Sequence, residues 1–213
     1  MSSDEKLSCE KMRSILLHVA DVMIESESYL TDLDRACGDG DFGVGMLRGF
    51  TKVKEQIQSY QGDDLEELFT RAGLAIMAVV GGASGAVFGS FFSSIGVKLR
   101  GKKEAGLADL AEAFKVSLET IMRLGGARTG DKTIVDALAP AVDALLEGAR
   151  SGESLKTTFR RAAEAAEKGA EATKSMIARK GKASYLGEQS LGHPDPGAVG
   201  VALIFKAIAE SIQ

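Results

Sequence analysis

An all-α fold is the class this sequence predicts, and three observations carry it. Leu107, Leu110, Phe114, Leu118 and Ile121 recur at steps of three and four, as do Ile134, Leu138, Val142 and Leu145, the spacing that gathers apolar side chains on one helical face. Alternating stretches rich in Val, Ile and Thr, the mark of half-buried strands, are nearly absent. Glycine and small polar residues concentrate in a few runs between the periodic segments, where they punctuate helices.

The elements follow in order. Noisier apolar periodicity covers 8–30; beyond the run "CGDGDFG" at 37–43 it resumes over 43–60 and 64–79. The run "GGASG" at 81–85 opens a segment over 84–99. The two clearest patterns, named above, flank "GGARTGD" at 125–131, with Asp131 suited to capping the second. Segments 153–179 and 195–212 complete about eight helices with little or no sheet, joined by "GKASYLGEQSLGHPDPG" at 181–197. The four glycine runs alternate with plain connections, so in a helical bundle they converge at one end. The last is longer than most connections between bundle helices, which favours a lid or binding loop over a spacer.

At 213 residues and 45% hydrophobic content, the chain buries one sizeable core and fits a single domain over 1–213. Its net charge is −4, with 26 Lys and Arg spread among 30 Asp and Glu. With no basic block, binding to a nucleic-acid backbone is not expected, and an anionic ligand would need a local device. Cys9 and Cys37 are the only cysteines, neither the number nor the spacing of a disulfide framework or zinc site. The polar start "MSSDEKLSCEKMRS" and the shortness of the longest apolar run, "LAIMAVV", predict a soluble cytoplasmic protein with no membrane partner.

Asp32, Asp34, Asp39 and Asp41 crowd one short stretch. A turn feeding the next helix accounts for one or two of them. Three carboxylates brought together stay ionised only beside a cation. An oxygen-only donor set points to Mg²⁺, which shares its shell between carboxylates and substrate phosphates. Gly38, Gly40 and Gly43 let the backbone turn tightly and open amides near a helix start to an anion.

The stretch "GGASGAVFGSFF" sets Gly81, Gly82 and Gly85 around Ser84, offering free amides and a hydroxyl to a phosphate; close packing of helices through small residues is the competing reading. It lacks the "GKS" or "GKT" of a phosphate-binding P-loop, and "GDKT" at 130–133 reads as a helix start. His18 falls in an apolar helix, whereas His193 lies in the long loop beside Asp195, where the two can orient each other.

Taken together, "ESESYLTDLDRACGDGDFGVGMLRGF", "GGASGAVFGSFF", "GARTGDKTIVDAL" and "ARKGKASYLGEQSLGHPDPGA" resemble the successive motifs of the L subunit of dihydroxyacetone kinase, over about residues 27–200. The resemblance implies an antiparallel eight-helix barrel whose loops at one end hold ADP or ATP through two Mg²⁺ ions. It makes Asp34, Asp39 and Asp41 the metal ligands. Ala83 and Ser84 would meet the phosphates, as would the helix start Phe42, Gly43, Val44 and Gly45. Gly125, Ile134, Lys182, Asp195, Pro196 and Gly197 would lie around the nucleotide, with 181–197 closing over it. Three positions depart from the family pattern. Phe42 stands where His is common, Gly45 where Asn is common, and Lys182 where Arg is usual, keeping the charge without the bidentate fork.

The resemblance also implies half of an enzyme. A separate K subunit holds dihydroxyacetone, or a four-carbon ketose such as erythrulose, by a covalent bond. Phosphoryl transfer then goes to the ketose's terminal hydroxyl, from ATP in one branch or, in the phosphotransferase branch, through bound ADP recharged by an M-type phosphocarrier. No general base is identifiable in this chain, and Ser84 is the candidate for stabilising the moving phosphoryl group. A nucleotide-loaded regulatory module docking on a transcription factor is the alternative, and a helical scaffold with acidic turns is the plainest reading. A homodimer is compatible with the sequence.

Overall fold

The computed structural model describes residues 5–212; residues 1–4 and 213 of the expected domain lie outside the described residues. Strand β1 (Lys6–Ser8) leads into α1 (Cys9–Glu25), whose start Ser8 caps by accepting from the Lys11 amide at 3.2 Å. Helices α2 (Glu27–Cys37) and α3 (Phe42–Gln58) follow. Asp64 accepts from the Glu67 amide at 2.9 Å to open α4 (Leu65–Val79), and α5 (Gly82–Lys98) begins at the paired glycines. Strand β2 (Glu104–Gly106) pairs antiparallel with β1 before α6 (Leu107–Gly125), which Gly126 ends in the left-handed region at φ 56°. A reciprocal cap opens α7 (Ile134–Ser151): the Thr133 hydroxyl accepts from the Val135 amide at 3.2 Å, and Asp136 accepts from the Thr133 amide at 2.7 Å. Ser154 caps α8 (Leu155–Ala172), and two 3₁₀ segments lie in the long connection to α9 (Pro196–Ser211).

Eight long helices close a ring in which α1 neighbours α3, then α4 through α9 follow in order and α9 returns to α1. Neighbours run antiparallel. Asp21 of α1 meets Lys54 of α3 at 2.6 Å, His18 of α1 meets Glu210 of α9 at 3.4 Å, and Gly73, Gly89 and Gly96 align α4 against α5 in reverse register. The all-α antiparallel eight-helix barrel expected from the sequence is therefore the fold, with α2 as a short ninth helix across one end. Two boundaries differ from expectation. The predicted helix over 8–30 divides at Ser26, whose hydroxyl joins its own amide in donating to the Val22 carbonyl, at 2.7 and 3.1 Å. The segment predicted over 153–179 leaves α-helical geometry after Ala172.

The ring interior is filled, not open. All phenylalanines but Phe69 make ring contacts, in two groups: Phe42 on Phe88 at 5.8 Å, and Phe50, Phe92, Phe91, Phe114, Phe159 and Phe205 linked at 4.9–6.1 Å. Offset and edge-on aromatic pairs of this kind add to the area they bury. No helix among the described residues is long and apolar enough to cross a membrane.

Contact between α4 and α5 depends on missing side chains. A Cβ on Gly73 would overlap the Ser93 side chain and the Gly89 carbonyl, and backbone has no room to yield. Gly73→Ala is expected to lower stability by about 1–3 kcal/mol, measured by urea unfolding. Gly81→Ala, whose Cβ would meet nothing within 4 Å, should change it by less than about 0.5 kcal/mol.

Candidate functional site

Because neighbours are antiparallel, the N-termini of α3, α5, α7 and α9 share one end of the ring, the end that α2 crosses. Each brings unpaired amides and the positive end of a helix dipole. Side chains cap three of them. Thr133 with Asp136 caps α7, and Asp195 caps α9 by accepting from the Ala198 amide at 2.8 Å. At α3 the capping oxygen comes from an unexpected place: Asp34, on the last turn of α2, accepts from the Phe42 amide at 3.1 Å, while Asp41, the residue in the cap position, makes no capping bond. No side chain caps α5, so the exposed start at Gly82 and Ala83 and the half-buried Ser84 present free amides.

These ends surround a cavity of about 400 Å³. Asp34, Asp41, Phe42 and Gly45 line it from α2 and α3, Ala83 and Ser84 from α5, Ile134 from α7, Lys182 from the long loop, and Asp195, Pro196 and Gly197 from α9. The structure thus brings together most of the residues singled out from the sequence. Four lie outside the lining, among them the exposed Asp39, which joins Asp34 and Asp41 in a cluster beside it. Gly125 is the exposed last residue of α6, outside the lining, since the turn of the chain toward the cavity begins beyond it. Gly43 is buried against Glu27 and Thr31, where its hydrogen lets α2 approach α3, and Val44 faces outward, 42% exposed. A concavity of about 540 Å³ between α8 and α9 holds none of the sequence-derived candidates.

The carboxylates of Asp34, Asp39 and Asp41 offer oxygens that all lie within 4.8 Å of one another. Gly40, at φ 75°, supplies the left-handed corner that folds Asp39 back beside Asp41. The Lys182 ammonium reaches across from the long loop to donate to Asp39 and, at 3.2 Å, to Asp41. Its hydrogen bond holds the Asp39 carboxyl below its ordinary range, and Asp39 in turn raises the Lys182 ammonium. The all-oxygen donor set fits a hard divalent ion.

The residue that the sequence reading missed is Lys132. It lines the cavity, is 1% exposed and has a left-handed backbone at φ 60°. Its ammonium donates to the carbonyls of Thr173, Met176, Ser190 and His193 at 2.9, 3.2, 2.7 and 2.6 Å. One signal was present: a lysine just before a helix start opposes the helix dipole, so its place there asks for another partner. His193 contributes its carbonyl to this cage, and Asp195 turns its carboxylate to its own helix start, so the expected mutual orientation of the two side chains gives way to separate roles. His18 pairs with Glu210 on the outer surface.

Burial pushes the Asp195 carboxyl up to about 7, opposed by the Ala198 amide and Lys132 and reinforced by Asp136. A carboxyl that binds its proton more tightly folded than unfolded contributes stability below about pH 4, and that contribution is lost as pH rises toward 7. Asp195→Asn keeps the capping oxygen and removes the titration. It should flatten the fall in the urea midpoint between pH 4.5 and 7.5 and gain on the order of 1 kcal/mol at the upper end; an unchanged slope would contradict the assignment.

Residues 36–210 match the family described as the DAK2 domain. Over 203 residues the chain is 36% identical to the PEP-dependent dihydroxyacetone kinase, ADP-binding subunit DhaL, of Escherichia coli (strain K12), covering 95% of this chain and 97% of that one. It is 32% identical over 196 residues to the D-erythrulose kinase of Mycolicibacterium smegmatis, matching 91% of this chain and 34% of that longer protein. The crystal structure of the dihydroxyacetone kinase from C. freundii in complex with AMP-PNP and Mg²⁺ aligns with a TM-score of 0.73 and 32% identity over 93% of this chain, which spans 33% of that chain. The chain belongs to the DAK2 domain family.

Proposed function

We propose that this DAK2-domain chain is the nucleotide-carrying subunit of a dihydroxyacetone-type kinase, holding a Mg²⁺-bound adenine nucleotide whose terminal phosphoryl group passes to a short ketose on a separate subunit. One observation carries the proposal: Asp34 and Asp41, clustered with Asp39, line the same cavity as the uncapped start of α5. A cation site beside an anion site is what a metal–diphosphate requires.

Asp34, Asp39 and Asp41 would hold the metal, two Mg²⁺ ions by the family pattern. Bound there, Mg²⁺ supplies neutralisation of phosphate charge. The amides from Gly82 to Ser84 would donate to phosphate oxygens, and their fixed dipoles need no reorganisation as charge shifts during transfer. Ile134, Pro196 and Gly197 offer an apolar wall for the base or ribose. Lys182, paired with Asp39 and Asp41, is placed to exchange those carboxylates for phosphate oxygens once a metal neutralises them. Phe42, packed on Phe88, seals the cavity floor with an apolar surface where relatives carry an imidazole.

The nearly full-length match to an ADP-binding subunit supports ADP as a resident coenzyme, recharged by a phosphocarrier protein, over free exchange with ATP. Dihydroxyacetone is the first choice of acceptor, with erythrulose the four-carbon alternative suggested by the kinase of M. smegmatis.

Asp39→Asn should weaken Mg²⁺-dependent ADP binding by about 100-fold, on the scale of a lost charge-assisted contact, with circular dichroism unchanged. Lys182→Gln should cost roughly tenfold; calorimetric titration of both variants checks the pair. A resident coenzyme should co-purify near one equivalent and leave slowly on dilution into nucleotide-free buffer, whereas exchange within seconds would favour ATP as donor. Mixing the chain with a K-type subunit, dihydroxyacetone and either ATP or a phosphorylated M-type carrier should yield sugar phosphate. None with any donor would overturn the kinase assignment.

A further inference from the structure

Lys132 lies at the cavity yet has no hydrogen-bonding capacity left for a ligand. An ammonium carries three N–H donors, and four carbonyls surround this one. The four are not neighbours in sequence. Thr173 and Met176 belong to the stem that enters the long loop, Ser190 and His193 to the stem that leaves it. Further bonds knit the same stems: Gly192 N to the Lys174 carbonyl at 2.8 Å, Ala178 N to the Ser190 hydroxyl at 3.0 Å, and Asp195 N to the Thr173 hydroxyl at 2.8 Å. The Arg179 amide is anchored to the Asp131 carbonyl at 3.0 Å, beside Lys132 in the chain.

Everything the loop offers to the cavity hangs from this crossing. Its tip carries Lys180, Gly181, Lys182 and Ala183 into the lining, and its exit stem runs straight into Asp195, Pro196 and Gly197. The ammonium itself is costly to place. It is removed from water, which lowers its pKa, it faces the positive end of α7, and its backbone is left-handed. An uncharged residue would escape the first two penalties, and glycine the third, but only a cation can draw four carbonyl dipoles to one point.

We propose that Lys132 is a positioning residue, an internal cation that clamps both stems of the loop and so fixes the span between Lys182 and the α9 start across which the nucleotide lies. The proposal rests on the nucleotide reading of the cavity. It separates two lysines of opposite habit: Lys182 is exposed and exchanges partners, while Lys132 is buried and does not. It also makes the charge, not the length, the essential property. Arg fails here because a planar guanidinium cannot be surrounded by four converging carbonyls.

The test compares wild type with Lys132→Met, which keeps volume without charge, and Lys132→Ala, which leaves a stem-shaped gap ending in the carbonyl cage. Mg²⁺–ADP affinity, hydrogen–deuterium exchange and circular dichroism are measured with and without n-propylammonium chloride, against sodium chloride of equal strength. Both variants should stay folded, lose affinity ten- to hundredfold, and exchange at least tenfold faster over 176–192 with the ring helices unchanged. In Lys132→Ala, n-propylammonium should restore affinity several-fold and slow that exchange, where sodium does neither. Binding within twofold of wild type, faster exchange spread over the whole ring, or no rescue by n-propylammonium would overturn the clamp. Wild type that binds no Mg²⁺–ADP would overturn the nucleotide reading and the positioning role with it; wild type that binds alongside variants that bind equally well would overturn the clamp alone.

Discussion

A closed ring with an even number of antiparallel helices places every second N-terminus at the same end, and the site follows from that parity. Helices α3, α5, α7 and α9 deliver four sets of unpaired amides to one mouth. So much like-signed partial charge has to be answered locally. Asp34, Thr133 with Asp136, and Asp195 answer at three starts, and the fourth, at α5, is left open for a ligand. The acidic cluster is therefore part of the electrostatic balance of the fold.

That balance explains the division of labour among the aspartates. Asp34 serves two masters, capping α3 with one oxygen while sharing a 4.8 Å cluster with Asp39 and Asp41. By taking the capping role it frees Asp41, the residue sequence rules would assign to it. Two flanking lysines divide the remaining work. Lys182 answers the spare negative charge across the cavity, and Lys132 holds the segment that delivers Lys182 there.

The fold was legible because helical periodicity is written in many residues at once, and the convergence of glycine runs followed from alternation alone. The acidic cluster was legible for a similar reason, since Asp34, Asp39 and Asp41 are close in sequence. What was not legible depended on distant partners. The carbonyl cage of Lys132 is assembled from backbone at Thr173 through His193, atoms that every sequence possesses. The break at Ser26 comes at a single residue whose amide and hydroxyl share the Val22 carbonyl.

The phenylalanine rings inside the barrel, the Phe42–Phe88 pair and the group around Phe114, decide more than packing. They fill the ring interior, and the cavity lies at the end where the starts of α3, α5, α7 and α9 converge. On the proposed function, a partner that recharges the nucleotide and one that accepts its phosphoryl group would both approach that end. If the two arrive on different proteins, they would take turns there, and the reaction would acquire a ping-pong order.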